Sequence, residues 1–436
     1  MPAERGKPME QNLLRTITAD NAWLDGKKLE PWYQSRLPPS YLGRQLELAP
    51  PDERVTLVIG PRQSGKSTFL WHTLAATGKP CLFLNCEDPA IAGWLFSPGT
   101  FLADLAEFLP AGVPLFFEEV QALEEAGLFL KGLVDRRSGR AIYATGSSSY
   151  HLESATRESL AGRACRYQLL PYSISEIAAS VPGLPALREL RLNEKLARLQ
   201  VFGSYPRVYA SEDPARELAN LVSSFIVRDV SDRFEIRRPD AFRRVLELAS
   251  SQIGNLCNYS EWANIAAVDA GTVAEYCRLL EETHVLRLVR PFVGGKRAEL
   301  TSMPKVFFLD NGIRNQLFGG FGATFERGDR GALFENFVFT EIAKNSDLLL
   351  DTIHFWRSKS GAEVDFVLRQ NDRLIAIEAK AGDTRGKLSR SARSFIEAYA
   401  PRQLLVVHTG ARAEAQLGET AIRFLNLPDL GPALAR

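Results

Sequence analysis

One nine-residue stretch, GPRQSGKST (Gly60–Thr68), constrains this chain most, because an apolar run, Val55–Ile59, precedes it and a helical pattern follows it. It matches GxxxxGK[ST] through Gly60, Pro61, Arg62, Gln63, Ser64, Gly65, Lys66 and Ser67, with Thr68 next. Glycines there let the backbone curl until its N–H groups point inward, and the following helix adds the positive end of its dipole. Such a cradle suits a nucleoside triphosphate. Lys66 would hold the β and γ phosphates of ATP, and the Ser67 hydroxyl would ligate Mg²⁺. The strand before and helix after separate this reading from a chance glycine-rich turn.

Further short apolar runs recur downstream: CLFLNC (Cys81–Cys86), VPLFFEEV (Val113–Val120), AIYAT (Ala141–Thr145) and CRYQLL (Cys165–Leu170). Nearly continuous apolar strands separated by helical stretches predict an α/β fold, a parallel sheet covered on both faces. Ligands in such sheets lie beyond the carboxyl ends of the strands. There the third run offers Glu118 to support the magnesium and Glu119 to polarise the attacking water. A pair of exposed acids at a strand end is the plainer alternative. The fourth run leads into TGSSS (Thr145–Ser149), where a hydroxyl could orient that water or simply belong to a turn. Arg163, ending SLAGR, is the first candidate for a guanidinium aimed at a neighbouring subunit's nucleotide. Arg207 and Arg228 are weaker candidates, and an ordinary surface arginine stays open as the alternative.

The 436 residues are enough for roughly two to four domains. Hydrophobic content of 45% and charged content of 24% fit a soluble globular protein. The net charge of +1 leaves no global field for nucleic acid, so a DNA site must be a local patch. The scattered cysteines, Cys81, Cys86, Cys165, Cys257 and Cys277, read as reduced core residues of a cytoplasmic protein. The start, MPAERGKPMEQ, has no apolar core of a signal peptide, and no apolar run approaches a membrane span. No internal repeat is visible.

The segments GPRQSGKST, LNCEDP, LFFEEVQ, ATGSSS, LAGR, LLPYSISEI and FGSYP, in this order across roughly residues 50 to 235, resemble one large prokaryotic family of AAA+ ATPases. That family carries a GPRQxGK[ST] loop and an acidic-Glu-x-Gln strand end. The resemblance implies an ATPase core over 51–172 and a small helical lid over 173–240, after an N-terminal segment, 1–50. This chain departs from the family at Glu118, where Asp is usual. The extra methylene bears on hydrolysis rate more than on ATP binding.

Residues 241–305 read as helix, helix, turn, helix, then strands, the order of a winged helix-turn-helix. Ser260 would cap SEWANIAA and Asp269 would cap AGTVAEYCRLLEE, whose Val273, Tyr276, Cys277 and Leu280 would face a core. The exposed face would show Thr272, Glu275 and Arg278, a poor phosphate attractor. The wing, with Lys296 and Arg297, is better placed. DNA binding and a packing role both remain open. The AAA+ family commonly has such a unit here.

Residues 306–436 form the last expected unit. In AEVDFVL, Ala362, Val364, Phe366 and Leu368 alternate with Glu363 and Asp365; in LIAIEAK, Ile375, Ile377 and Ala379 alternate with Glu378 and Lys380. A two-residue loop at Asn371-Asp372 would oppose Asp365 to Glu378 and Glu363 to Lys380. Carboxylates gathered in this way repel unless a cation joins them. Asp365 and Glu378 could hold Mg²⁺ or Mn²⁺, and Lys380 could position water or stabilise charge on a phosphate. A helix over Gly331–Ile342 would add Glu335. The set resembles the PD-(D/E)xK nuclease superfamily, a module with which the same ATPase family often ends. Solvated charges on a hairpin, a nuclease-shaped module that no longer cuts, and active cleavage all stay open. Arg357, Lys359 and Lys387 could hold a backbone phosphate or be solvated surface charge.

The combined expectation is a cytoplasmic AAA+ ATPase acting on DNA as a homo-oligomer, with a hexameric ring as one form. Rival readings are a branched-junction remodelling motor without cleavage and an ATP-controlled binding switch.

Overall fold

Each of the five apolar runs between residues 55 and 170 becomes a strand: β1 (Val55–Ile59), β2 (Leu82–Asn85), β3 (Leu115–Glu118), β4 (Ile142–Gly146) and β5 (Ala164–Gln168). All pair in parallel in the order β2-β3-β4-β1-β5. Val55, Leu57 and Ile59 enter one apolar cluster and Val58 the opposite one, so the sheet is buried on both faces. The protein is described here by a computed structural model covering residues 11–146, 160–224, 236–292, 303–359 and 361–435. It packs as two units, Met1–Leu169 and Leu170–Arg436.

In the first unit, α1 (Gln11–Asp20) and α2 (Leu29–Gln34) precede the sheet, and α3 (Lys66–Ala75), α4 (Pro89–Trp94), α5 (Pro98–Phe108) and α6 (Ala126–Asp135) alternate with its strands. The N-terminal segment also closes a sheet edge. The Asn21 amide donates to the Phe83 carbonyl (2.8 Å) and accepts the Phe83 N–H (2.7 Å), as a neighbouring strand would. It thereby satisfies part of edge strand β2.

The second unit begins with α7 (Ile174–Ser180), α8 (Pro185–Phe202), α9 (Pro206–Ala210) and α10 (Pro214–Leu221). Next come α11 (Pro239–Ser251), α12 (Tyr259–Ala266) and α13 (Ala270–Glu282), then the antiparallel pair β6 (Leu286–Pro291) and β7 (Lys305–Phe308). The remainder is α14 (Asn311–Phe318), α15 (Arg330–Lys344), β8 (Thr352–Arg357), β9 (Glu363–Gln370), β10 (Arg373–Ala379), α16 (Arg390–Tyr399), β11 (Gln403–Val407), β12 (Ala413–Leu417), β13 (Thr420–Leu425) and α17 (Leu427–Leu434). One eight-stranded sheet runs β12-β13-β11-β10-β9-β8-β6-β7, so strands from the middle and the end of the chain are continuous.

The FGSYP segment (Phe202–Pro206) is an anchor inside this unit. Gly203 has φ 70°, and a Cβ there would fall 1.9 Å from Asp310 Oδ1. Ser204 N–H donates to Asp310 (2.8 Å), Lys344 donates to the Ser204 hydroxyl (3.0 Å) and to Glu341 (2.9 Å), and Glu341 accepts the Ile174 N–H (2.8 Å). These buried polar groups pin the segment expected as a lid to α14 and α15, and each is satisfied, as burial requires.

Two local expectations are corrected. Helix α12 is capped by Asn258, whose side chain accepts the Glu261 N–H (3.3 Å); Ser260 lies inside the helix. Strict alternation in AEVDFVL also fails. The β8–β9 register shifts between His354 and Trp356, a bulge that doubles up residues of β9. Val364 and Val367 therefore share one apolar cluster, while Phe366 packs on Phe307 and Phe339. Asp269 does cap α13, accepting the Thr272 N–H (2.8 Å), and Val273, Tyr276, Cys277 and Leu280 are buried. All five cysteines are free thiols, and Cys165 alone is half-buried rather than buried.

Candidate functional site

The loop Gly60–Gly65 joins the carboxyl end of β1 to the first turn of α3. Gly60 passes so close to β5 that a Cβ would lie 2.2 Å from the Leu169 carbonyl oxygen. Gln63 (φ 61°) and Gly65 (φ 93°) adopt left-handed backbone, which curls the loop. Lys66 is only 4% exposed, and its ammonium donates to the carbonyls of Gly60 (3.2 Å) and Pro61 (3.0 Å). Burial holds its pKa below the usual range; Glu119 opposes that shift, Arg62 adds to it, and Glu118 opposes it. The Ser64 hydroxyl is buried without a hydrogen-bond partner among the described residues. A buried cation and an orphaned hydroxyl in a curled loop suit a phosphate. Pro61 and Thr68 lie in the same loop–helix segment, and Arg62 pairs with Glu87 at 3.5 Å.

The register brings the acids level with the loop. Asn85 stands beside Glu118, and Ile59 beside Gly146. The Ser67 hydroxyl hydrogen-bonds Glu118, whose pKa burial raises despite that bond. Glu119 turns out of β3 in left-handed backbone (φ 52°), a conformation costly for a non-glycine residue. Its N–H donates to the hydroxyl of Thr145, fully buried on β4 (3.1 Å), and its carboxylate accepts from the Gln121 amide. Lys66, Ser67, Glu118, Glu119 and Thr145 thus meet at one end of the sheet. Oxygen donors from Ser67 and Glu118 match the preference of Mg²⁺.

Arg163 lies at the other end. Its carbonyl accepts the N–H of Val55, the first residue of β1, so the length of that strand, about 16 Å, separates it from its own phosphate loop. Its guanidinium pairs with Asp135 at 2.6 Å. Arg207 pairs with Glu217 at 2.8 Å. Ser147–Ser149 and Arg228 lie outside the described residues, as do Lys296 and Arg297.

A second acidic site forms in the other unit. The β9–β10 hairpin has the register that an Asn371-Asp372 loop requires, with Gln370 opposite Arg373 and Phe366 opposite Ile377. Asp365 accepts the Ala379 N–H (2.7 Å) and lies 3.4 Å from the Lys380 ammonium. Glu378 accepts from the Ser389 hydroxyl (2.6 Å) and lies 3.9 Å from Lys380. One oxygen of each carboxylate is thereby bonded. Glu363 does not meet Lys380; it pairs with Lys305 on β7 at 2.5 Å, while Arg357 stands 3.8 Å away. Lys305 also reaches Glu335 on α15 at 3.4 Å. Burial pushes Glu335 up to about 7; Asp365 raises it further and Lys305 opposes the shift. Burial likewise raises Glu378. Asp365, Glu378, Lys380 and Glu335 form one neighbourhood with Lys305, which sequence reasoning missed. Among the described residues, no three His, Cys, Asp or Glu side chains are grouped to hold a metal.

On α13, Thr272 hydrogen-bonds its cap Asp269 (2.6 Å), Arg278 pairs with Glu282 (2.9 Å), and Glu275 is exposed. Among the described residues, no helix is long and apolar enough to cross a membrane.

Comparison with known proteins agrees with the first site. Residues 52–178 match the AAA domain model, 193–324 a domain of unknown function (DUF8612), and 330–430 another (DUF4143). An uncharacterized protein of Methanocaldococcus jannaschii is 22% identical over 358 residues, covering 79% of this chain and 78% of that protein. One from Haemophilus influenzae is 23% identical over 344 residues, covering 74% and 82%. Among solved structures, Cdc6p from Pyrobaculum aerophilum overlaps 70% of this chain and 92% of its own at 13% identity with a TM-score of 0.24, too low to bear on the fold. The phosphate loop and the strand-end acids thus lie within residues 52–178, the segment that matches the AAA domain model.

Proposed function

We propose that this chain hydrolyses ATP and couples the hydrolysis to DNA, as a cytoplasmic homo-oligomer. The observation that carries the reading is the meeting of Lys66, Ser67, Glu118, Glu119 and Thr145 at the carboxyl ends of β1, β3 and β4. Loop N–H groups and Lys66 would bind the β and γ phosphates, and Ser67 and Glu118 would hold Mg²⁺. Magnesium bound there would supply screening of phosphate charge. Glu119 would accept a proton from water as the water oxygen bonds to the γ-phosphorus, and the bond to the ADP oxygen breaks, giving ADP and inorganic phosphate. Thr145 holds the Glu119 backbone, and Gln121 holds its carboxylate, in place for that transfer. Arg163, distant from its own loop, would serve a neighbouring subunit.

For DNA, the support is coarser. The succession α11, α12, α13, β6, β7 has the order of a winged helix-turn-helix over residues 241–305. Asp365, Glu378, Lys380 and the helical Glu335 have the order of a PD-(D/E)xK site over 306–436. Asp365 and Glu378, each keeping one oxygen, would hold Mg²⁺ or Mn²⁺, and Lys380 would stabilise charge on a scissile phosphate. One observation favours a module that recognises DNA without cutting: Lys305 already balances Glu335 and Glu363. Linear and branched DNA incubated with Mg²⁺ or Mn²⁺, with and without ATP, separates the readings. Cleavage lost in Asp365→Ala and retained in Lys66→Ala supports the nuclease. DNA-stimulated ATP turnover without cleavage supports a remodelling motor, and ATP binding with no response to DNA supports a regulatory switch.

A further inference from the structure

Between α2 and β1 the chain carries LPPSYLGRQLEL (Leu37–Leu48), a stretch with neither helix nor strand. It is nevertheless fastened at several points. The Tyr41 ring stacks on His72 of α3, with centroids 4.1 Å apart and planes 15° off parallel. Leu37, Leu46 and Leu48 pack against the buried cluster that holds Val58, Phe69, Trp71 and Leu169. The Ala49 N–H donates to the Tyr167 hydroxyl on β5 at 2.9 Å. The segment is therefore a strap laid from α3 to β5, with its backbone fixed on either side of Arg44.

Arg44 is half-buried, and its Nη1 donates to the Ser64 carbonyl at 2.9 Å. Ser64 stands between Gln63 and Gly65, the left-handed residues of the phosphate loop. Its carbonyl lies in the same peptide plane as the Gly65 N–H. In a trans peptide those two groups point in opposite directions. A donor that holds the carbonyl on the strap side thus aims the Gly65 amide to the other side. A left-handed non-glycine residue such as Gln63 is disfavoured by itself, so it persists only where surrounding contacts hold it. The ends of the loop have such contacts: Gly60 is pressed against β5, and Gly65 caps the start of α3. Arg44 supplies one between those ends. A guanidinium suits the task, because its hydrogen bonds are stronger than those of a neutral donor.

We propose that Arg44 is a positioning residue of the nucleotide site: by holding the Ser64 carbonyl, it sets the Ser64–Gly65 peptide so that the Gly65 N–H faces bound polyphosphate. The inference rests on the nucleotide reading given above and extends it to the strap. A loop held in its binding shape has less freedom to lose when the ligand arrives, so the Arg44 bond shows up as affinity. The test titrates the full chain with Mg·ATP and with inorganic tripolyphosphate by calorimetry, beside Arg44→Met, Arg44→Gln and Arg44→Lys. Met keeps much of the stem and no donor, Gln keeps a neutral N–H donor, and Lys keeps a charged one. Arg44→Met should weaken binding at least ~10-fold, by the same factor for both ligands, because the loop meets only the phosphates. Arg44→Lys should lie within about threefold of the unmodified chain and Arg44→Gln between the two, so the ranking survives if one variant fails to fold. The loss should persist at about 0.5 M KCl, where simple charge attraction is largely screened. Loss for ATP without loss for tripolyphosphate would make Arg44 a contact of the base or ribose. Loss confined to low salt would make it a general attractor of anions. Either result overturns the proposal, as does equal affinity across the variants. Failure of the unmodified chain to bind either ligand defeats the nucleotide reading itself, and this proposal with it.

Discussion

The two acidic sites are built from similar residues and balance their charges in opposite ways. At the phosphate loop, the buried Lys66 ammonium donates to carbonyls, and burial keeps its pKa low. In the second unit, burial also works against the charges of Lys305 and Lys380, yet neighbouring carboxylates outweigh it and both pKa values rise. Lys305 stands 2.5 Å from Glu363 and 3.4 Å from Glu335. One lysine is set for an anion that comes from outside; the other already has its anions. Burial of a charge without its partner is costly. Function at the first site and stability at the second are therefore expected to respond to different residues.

The largest effect expected from breaking this contrast is on turnover. Glu119→Gln removes the proton acceptor and should lower kcat about 10²–10⁴-fold, the range for a general base. Nucleotide affinity should stay within a few-fold, checked by titration with a fluorescent ATP analogue. A much larger fall in affinity would assign Glu119 to binding instead.

Stability comes next. Lys305→Met leaves the half-buried Glu335 and Glu363 without their buried cation and should destabilise the second unit by about 3 kcal/mol in denaturant unfolding, the low end of the range for breaking a buried pair. Lys66→Met removes an ammonium disfavoured by burial, so the first unit should unfold at the same or slightly higher denaturant concentration while nucleotide binding is lost. Equal destabilisation by both substitutions would erase the contrast.

The pH dependence is smaller. Glu335 has its ordinary value of 4.5 when unfolded and is pushed up to about 7 when folded. The folded state then holds the extra proton between those values, so stability should fall as pH rises through that window, by up to about 3 kcal/mol. Glu335→Gln should flatten the curve between about pH 5 and 8. A curve unchanged by that substitution would place the titration elsewhere.

The smallest effect sharpens the comparison within one cluster. The Lys380 side chain is 41% exposed, against 6% for Lys305. Lys380→Met should therefore cost less than about 1 kcal/mol. A loss matching that of Lys305→Met would mean that exposure does not govern these pairs.

Local pattern carried much of this into view. The runs at Val55–Ile59 and Leu115–Glu118 are strands because their residues are buried on both faces, and continuous apolarity records that directly. The Asn371-Asp372 turn fixes the β9–β10 register because two residues leave one way to pair the flanking strands. What escaped is long-range. Lys305 meets Glu363 only because β7 and β9 fold into one sheet, and no periodicity within either strand encodes it. The β9 bulge depends on how β8 pairs, so alternation within β9 alone misplaced Phe366. The α12 cap went to Asn258 over Ser260 because both are good cap residues and backbone geometry decides between them. Arg44 carried no periodic signal; its bond to Ser64 follows from two loops that meet only in three dimensions.

The most direct test of the central claim is steady-state ATP hydrolysis by the full chain with Mg²⁺, set beside the same assay on Glu119→Gln and Lys66→Ala. The expected results are phosphate release by the unmodified chain, nucleotide binding without release in Glu119→Gln, and neither in Lys66→Ala. Release at the unmodified rate in Lys66→Ala, or no nucleotide binding by the unmodified chain, would contradict it.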